Sequence, residues 1–320
     1  SNPVRSLLRT LALAASTAFT YHALAQTAAP STSSGQAFPT KPIRLIIGFT
    51  AGSEVDVIGR MIAQEMSEKW GQRVVIDNRP GATQIIGAQA AAKATPDGYT
   101  WLLNTAGQAI APGLYRKLSY DAAKELQPAV LLVRSIQVLV LSPGVQATNV
   151  AELVALAKAK PAAINVASAG TGTITHLSGE LFRSIVNVTW THVPYKGAAP
   201  AVQDLLGGQV QLGIVGTPGV LNHLKTGRLN VLAVTSAQRS SLAPEIPTVA
   251  ETLPGYEVEL VYAVLATAGT PSAVVERLNN DIHQALKDPE IRERLVGQGF
   301  EIRTSSPEQL GQYIRSEIRK

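Results

Sequence analysis

The stretch IRLIIGFTAGSEVDVIGRMIAQEM, residues 43–66, places an apolar run, a loop of small residues and a helical pattern in direct succession. The apolar run is bounded by Pro42 and Gly52 and predicts a buried strand over 43–49. Beyond the loop, apolar residues recur with helical spacing, and Asp56 is the expected N-cap of that helix. A strand that leads through a short loop into a helix is the repeating unit of α/β folds.

The same alternation continues to the end of the chain. Asn149 is the expected N-cap of a helix over 150–159, and Ser306 with Gln309 fits a capping box. Strands made almost entirely of Val, Ile and Leu predict parallel sheets covered on both faces, and the length suits two such sheets. Further strands are predicted over 73–76, 99–103, 128–133, 136–142, 163–167, 188–193, 209–215, 230–235 and 258–266.

Four loops at predicted strand ends are rich in small residues. In open α/β sheets, ligands bind beyond the carboxyl ends of the strands, where loops lead into helices. Small residues let main-chain N–H groups approach a ligand, and a helix N-terminus favours a carboxylate or phosphate. Each loop alone could be no more than a tight turn, but four at equivalent positions predict an anion site. They are Thr50–Ser53, Thr105–Gly107, Ser168–Thr173 and Gly216–Gly219.

The N-terminus has the layout of a secretory signal peptide. Arg5 and Arg9 precede a short apolar run over 11–19, and Ala23-Leu24-Ala25 forms an A-x-A cleavage site. The apolar run is too short to span a bilayer, so we predict export, with a signal peptide over 1–25. Residues 26–37 are small and polar and predict a flexible lead-in.

Composition excludes several classes of protein. The chain has no cysteine and five dispersed histidines, which argues against disulfides and against a structural zinc site. The net charge of +5 is mild and scattered, so no nucleic-acid partner is expected. The sequence contains neither G-x-S-x-G nor H-E-x-x-H, and we expect no enzyme activity and no cofactor.

Short motifs distributed along the chain resemble the Bug-type (TctC-like) extracytoplasmic solute receptors of tripartite tricarboxylate transporters. The similarity runs in order from about Phe38 to Lys320. The motifs are Lys41-Pro42-Ile43-Arg44-Leu45-Ile46, Asp77-Asn78-Arg79-Pro80-Gly81-Ala82, Pro96-Asp97-Gly98-Tyr99-Thr100, Ser168-Ala169-Gly170-Thr171-Gly172-Thr173 with His176, Val193-Pro194-Tyr195-Lys196-Gly197, Leu205-Leu206-Gly207-Gly208-Gln209 and Ala233-Val234-Thr235-Ser236.

The resemblance implies a type II periplasmic-binding-protein fold, with two lobes joined by two crossing strands. One lobe would comprise 38–137 and 259–320, and the other 138–258, with crossings near Gln137 and Glu259. The implied function is capture of a small organic acid, amino acid or amide in the periplasm for the membrane permease subunits of such a transporter, by a monomer. The expected ligand-binding residues are Phe49, Thr50, Ala51, Gly52, Ser53, Glu54, Thr105, Ala106, Gly107, Ser168, Ala169, Gly170, Thr171, Thr173, His176, Gly216 and Thr217.

Two positions depart from the family pattern and leave the ligand class open. Glu54 stands where the first loop usually has Gly, and Val215-Gly216 replaces an Asp-Asn pair that is frequent at that strand end. Glu54 could accept a hydrogen bond from a ligand nitrogen, or it could only stabilise its own helix dipole. His176 could contact the ligand or brace its loop.

Two other classes of protein share this architecture. A sensor subunit that reports to a membrane signalling protein would have the same cleft, and the sequence does not separate it from a transport receptor. A two-lobed enzyme is disfavoured, since no nucleophile and base stand out as a pair. The porphobilinogen-polymerising enzymes, which have a related fold, need a cysteine that this chain lacks.

Overall fold

Strands and helices alternate along the chain, as the sequence predicts. The computed structural model describes residues 38–82, 84–105, 107–114 and 117–319, and the chain from Lys41 onward forms one unit. The predicted signal peptide over 1–25 and lead-in over 26–37 lie outside the described residues. The strands are β1 (Ile43–Ile47), β2 (Val74–Asn78), β3 (Thr100–Asn104), β4 (Leu126–Ser135), β5 (Gln137–Leu141), β6 (Asn165–Ser168), β7 (Thr191–Pro194), β8 (Leu212–Gly216), β9 (Asn230–Val234), β10 (Leu260–Thr267) and β11 (Phe300–Ile302). The helices are α1 (Glu54–Trp70), α2 (Ile85–Ala92), α3 (Gly107–Leu114), α4 (Val150–Ala159), α5 (Ile174–Val186), α6 (Ala198–Leu206), α7 (Thr217–Lys225), α8 (Ser272–Ala285), α9 (Pro289–Gly297) and α10 (Pro307–Arg319).

The strands form two mixed sheets. One has six strands in the order β11-β4-β10-β3-β1-β2, and the other has five in the order β7-β6-β8-β5-β9. The prediction of parallel sheets is wrong in part, because β10 runs antiparallel to β3 and β4, and β5 runs antiparallel to β8 and β9. A strand buried on both faces is apolar throughout, whichever way its neighbours run, so the residue pattern gives no direction.

The two sheets draw on different parts of the chain. The six-stranded sheet takes its strands from 43–135 and 260–302, and the five-stranded sheet takes them from 137–234. The chain passes from the first sheet to the second at Ile136 and returns between β9 and β10. The boundaries 38–137 with 259–320 and 138–258 for the two lobes stay a prediction.

The five-stranded sheet is buried on both faces, and β5 shows how. Leu139 and Leu141 belong to one apolar cluster, together with residues of α4 and α5. Val138 and Val140 belong to a second cluster, together with residues of α6. Each of these side chains is at most 1 % exposed, and full burial of a Val or Leu stabilises a fold by roughly 1.5–3 kcal/mol.

The N-cap of α1 is Ser53 rather than the predicted Asp56. The Ser53 hydroxyl accepts a hydrogen bond from the Asp56 N–H at 3.3 Å, and the helix begins at Glu54. Asp56 lies in the first turn, where its carboxylate accepts from the loop before the helix. The prediction that Asn149 caps α4 is confirmed, as its side chain accepts from the Glu152 N–H.

A buried ion-pair network lies where the chain returns to the six-stranded sheet. Arg134 of β4 contacts Glu259 at 2.5 Å and Glu301 of β11 at 2.6 Å. Glu301 also accepts from the hydroxyl of Ser240 at 2.5 Å and from the N–H of Ser241 at 3.0 Å. Both serines follow β9, so one carboxylate joins a strand of the six-stranded sheet to the segment that follows the five-stranded sheet.

Within the described residues, no helix combines the length and the apolar character that crossing a membrane requires. Over the same residues, no group of three or more His, Asp or Glu side chains is arranged to hold a metal ion. The fold has instead a cleft that is lined by residues from both sheets and the loops that follow their strands.

Candidate ligand-binding cleft

A cleft of about 530 Å³ is lined by loops at the carboxyl ends of strands in both sheets. The loops after β1 and β3 contribute from the six-stranded sheet, and those after β6 and β8 contribute from the five-stranded sheet. These are the four loops that the sequence singles out. The predicted residues that line the cleft are Phe49, Thr50, Ser53, Glu54, Thr105, Ala169, Thr173 and Gly216.

The other predicted site residues lie elsewhere in the same loops. Ala106 is outside the described residues, and Gly107 is the first residue of α3. The side chain and N–H of Thr217 both donate to the carbonyl of Ile136, which turns them away from the cleft. Those absent from the cleft lining are Ala51, Gly52, Ser168, Gly170, Thr171, His176 and Thr217. That any of the seventeen residues contacts a ligand stays a prediction.

The loop after β1 is fixed by Asp56. Its carboxylate accepts from the N–H of Gly52 at 2.8 Å and from the side-chain amide of Asn78 at 2.9 Å. The same Asn78 amide also donates to the carbonyl of Phe49, and Arg60 donates to both carboxylate oxygens. Burial alone would raise the pKa of Asp56, but its hydrogen bonds, led by that from Arg60, outweigh burial and hold the pKa below its usual range.

The loop after β6 is built in the same way. The N–H of Gly172 donates to Nδ1 of His176, four residues later, at 3.1 Å. Thr173 caps α5 with its hydroxyl, and its φ and ψ of −76° and 163° nearly repeat the −70° and 163° of Ser53. The glycines before the two caps have φ of 78° and 81°, a conformation that side chains disfavour. His176 therefore braces its loop as Asp56 does.

The two capped helices, α1 and α5, present their N-termini to the cleft. The first N–H groups of a helix have no partner within it. The caps use those of the third and fourth residues in each helix. This leaves the N–H groups of Glu54 and Val55 on one side and of Ile174 and Thr175 on the other, and all four residues line the cleft. Two helix N-termini from different sheets suit an anion held between them.

Ser168, the last residue of β6, holds the loop after β6 through hydrogen bonds. Its hydroxyl is hydrogen-bonded to the ring of His192 at 2.7 Å, and its oxygen accepts from the Gly170 N–H. The His192 ring stacks on that of His176 with 4.0 Å between centroids. Burial lowers the pKa of His192, and His176 lowers it further, which favours the neutral imidazole. Ser168 is 1 % exposed, so this serine–histidine pair lacks access to a substrate.

Thr105 is held by a side chain that the sequence analysis missed. Gln84, which lines the cleft, donates to the Thr105 hydroxyl at 2.8 Å and accepts from the Thr105 N–H at 3.2 Å. Gln84 has a φ of 72° and is 8 % exposed. The sequence offered one signal for Gln84, because it closely follows the motif over 77–82. The start of that motif pairs with the end of β1, from which the first cleft loop begins.

Glu54 faces the cleft and is paired with Tyr262 of β10. The Tyr262 hydroxyl donates to Oε2 of Glu54 at 2.9 Å. Burial raises the pKa of Glu54, while the hydrogen bond from Tyr262 opposes the rise. Burial and the neighbouring carboxylate raise the pKa of Tyr262 well above its ordinary value, so its proton stays in place at neutral pH. Among the described residues that line the cleft, these two carry the titratable side chains.

Gln137 is a further cleft residue that the sequence analysis did not assign as a contact. It is the first residue of β5, fully buried, and neither atom of its carboxamide has a hydrogen-bond partner in the described part of the chain. A polar residue at the head of the apolar run 136–141 was a signal that could have found it. Other lining residues outside the prediction are Gly48, Val55, Pro80, Gly81, Ile110, Ile174, Thr175, Ala198 and Leu260.

Two sheets joined by crossing segments, with helix N-termini facing a shared cleft, define a type II periplasmic-binding-protein fold, as predicted. Comparison with known proteins gives the family. Residues 58–320 match the family model described as "Tripartite tricarboxylate transporter family receptor". The protein BugT of Bordetella pertussis is 35% identical over 290 residues, which cover 90% of this chain and 89% of BugT. The chain belongs to this family of Bug-type receptors.

Solved structures of similar proteins have the same fold. R. palustris Rpa4515 with adipate is 35% identical, with a TM-score of 0.78, over 88% of this chain and 95% of that protein. MatC (Rpa3494) from Rhodopseudomonas palustris with bound malate is 28% identical, with a TM-score of 0.76, over 88% of this chain and 98% of that protein. Each of these two proteins is thus described with a small organic acid.

Proposed function

We propose that the protein is a periplasmic receptor that captures a small organic acid, amino acid or amide for the permease subunits of a tripartite tricarboxylate-type transporter. The observation that carries the proposal is the pair of capped N-termini of α1 and α5, which face one cleft from two different sheets. Main-chain donors arranged in this way bind a carboxylate without any cationic side chain. Adipate and malate in two structural relatives support the same class of ligand.

The cleft supports capture rather than conversion of the ligand. Its titratable groups in the described residues, Glu54 and Tyr262, are hydrogen-bonded to each other. The hydroxyl of Ser53 is occupied as a helix cap, and Ser168, which is hydrogen-bonded to His192, is buried. We therefore propose that the bound ligand leaves chemically unchanged. Export directed by residues 1–25 belongs to this proposal as well.

Binding is expected to raise the stability of the protein without turnover. A ligand at about 100 times its dissociation constant adds about 2.7 kcal/mol to the free energy of unfolding. Thermal-shift measurements with a panel of small mono- and dicarboxylates, amino acids and amides would find the ligands. Mass spectrometry of the recovered compound then tests for chemistry, and a converted ligand would contradict the receptor proposal. Fragments that lack a carboxylate serve as the control.

Closure of the two lobes is a second expected result. If the lobes comprise 38–137 with 259–320 and 138–258, a ligand that touches both favours a closed state. Small-angle X-ray scattering with and without saturating ligand should show a smaller radius of gyration in the bound protein. The forward scattering also gives the mass, which we expect to be that of a monomer. An unchanged radius at saturation would argue for a cleft that is closed in advance.

A further inference from the structure

The carboxamide of Gln137 is a buried polar group without a hydrogen-bond partner among the described residues. Both its Nε2 and Oε1 atoms are inaccessible to solvent, and neither makes a hydrogen bond to any described residue. Its neighbours along the chain, from Ile136 to Leu141, are apolar and buried. An aliphatic residue would suit this strand better, because an unpaired buried amide costs folding free energy. Such a group calls for a partner that enters the site.

The surroundings of Gln137 place it on the cleft. It pairs across the sheet with Gly216, and both residues line the cleft. A Cβ atom added to Gly216 would lie 3.5 Å from Nε2 of Gln137 and 3.4 Å from Oγ of Ser135. The space that a side chain at Gly216 would fill therefore lies in contact with the amide.

Glu54 and Tyr262 belong to the same part of the cleft. Ser135, which neighbours Gly216, pairs across the sheet with Leu260 of β10, and Leu260 lines the cleft together with Tyr262 two residues later. The Tyr262 hydroxyl donates a hydrogen bond to Oε2 of Glu54, so Oε1 of Glu54 remains as an acceptor. Together with Gln137, this region offers two N–H donors and two acceptor oxygens around one space. It carries at most one negative charge and no positive one.

We propose that Gln137 and Glu54 recognise the end of the ligand opposite its carboxylate, and that this end is a primary carboxamide. The assignment rests on the proposed receptor function. A ligand carboxamide accepts from Nε2 of Gln137 through its carbonyl, and its two N–H groups donate to Oε1 of Gln137 and to Oε1 of Glu54. A second carboxylate would offer no donor to either oxygen and would repel Glu54. An ammonium group would leave the N–H donors of Gln137 unpaired.

Isothermal titration with acids of one chain length tests the assignment. The probes are glutaramate, glutarate, 5-aminopentanoate and pentanoate, which differ only in the group at the far end. In the wild type, we expect glutaramate to bind about tenfold to a hundredfold more tightly than glutarate, as the loss of one or two buried hydrogen bonds implies. Tighter binding of glutarate or of 5-aminopentanoate than of glutaramate would overturn the assignment.

Two variants separate recognition from folding. Gln137→Leu should lose most of the preference for glutaramate over pentanoate, while its melting temperature stays equal to or above that of the wild type. Glu54→Gln should bind glutarate more tightly than the wild type does, since a like charge is removed. Gln203→Leu, at an exposed position of α6, is the control and should change neither the affinities for the four acids nor the melting temperature.

The outcomes distinguish this assignment from the function on which it rests. A preference for glutaramate over pentanoate that survives in Gln137→Leu would show that the Gln137 amide does not recognise the ligand, and the assignment would be wrong. If pentanoate binds but glutaramate gains nothing over it, the carboxylate receptor stands and only the assignment fails. If none of the four acids binds, the assignment fails, while the thermal-shift panel tests the receptor function separately.

Discussion

Replacement of Arg134 by methionine is expected to lower the free energy of unfolding by about 3–5 kcal/mol. Arg134 is 12 % exposed and lies between two carboxylates, those of Glu259 and Glu301, which are 10 % and 8 % exposed. Methionine fills much of the same volume, but it leaves the buried Glu301 without its countercharge and leaves Glu259 only the exposed Arg303 at 3.5 Å. Removal of one partner from a buried network destabilises far more than the intact network stabilises.

Urea unfolding of the variant and the wild type at several pH values would measure this loss. Burial would raise the pKa of Glu301, but its hydrogen bonds with Ser240 and Arg134 outweigh burial and lower it. The stabilisation in the wild type is therefore complete above the ordinary glutamate pKa of about 4.3 and is lost as the pH falls through the lowered value. The difference between the two proteins should thus be largest at neutral pH and should shrink in acid.

The control for this prediction is Arg239→Met. Arg239 makes two hydrogen bonds of 2.8 Å to Glu251, but the two side chains are 46 % and 44 % exposed. Exposed pairs are screened by water and contribute little. The control should unfold close to the wild type. A loss for Arg134→Met no larger than that of the control would contradict the account of the buried network.

Replacement of Asp56 by alanine is expected to lower the free energy of unfolding by about 2–4 kcal/mol, since several charge-assisted hydrogen bonds are lost. The carboxylate side chain is 2 % exposed and accepts from Gly52, Arg60 and Asn78. Without it, the Gly52 N–H loses its acceptor and the Asn78 amide keeps only the carbonyl of Phe49. The loop after β1 then loosens, so ligand affinity should fall together with stability.

Urea unfolding and titration with a bound carboxylate would test both parts. Asp288→Ala is the matched control. Asp288 also accepts hydrogen bonds from N–H groups at a helix start, but it is the exposed N-cap of α9. Loss of an ordinary N-cap costs about 1 kcal/mol and should leave affinity unchanged. Equal losses in the two variants, or an unchanged affinity in Asp56→Ala, would show that Asp56 does not fix the loop.

Local patterns predicted the elements of the fold but not the direction of their pairing. The run over 43–49 gave β1, and the alternation of apolar runs with helical periods gave the α/β class. The antiparallel entry of β10 depends on where the chain returns from the second sheet, which no local pattern contains. Ser53 and Asp56 both suit a helix start, and only the three-dimensional loop shows which one caps and which one braces.

The candidate site divides in the same way. Its four glycine-containing loops follow strand ends and were visible in the sequence, as was the unusual Glu54. Tyr262 and Gln137 lie within or at the start of apolar strands, where side chains usually belong to the core. They reach the cleft because these strands lie next to the points where the chain changes sheets, which is a property of topology.

The loops after β1 and β6 contain some positions that fix the main chain and others whose side chains can vary. In each loop, three residues hold the main chain in place: a glycine, the hydroxyl residue that caps the helix, and a side chain four residues after the glycine that accepts from its N–H. The two residues between the cap and that side chain take no part in these contacts. Glu54 is one of these free positions. If Glu54 and Gln137 recognise the far end of the ligand as proposed, substitutions at these two positions alone would change the specificity and leave the proposed carboxylate site intact.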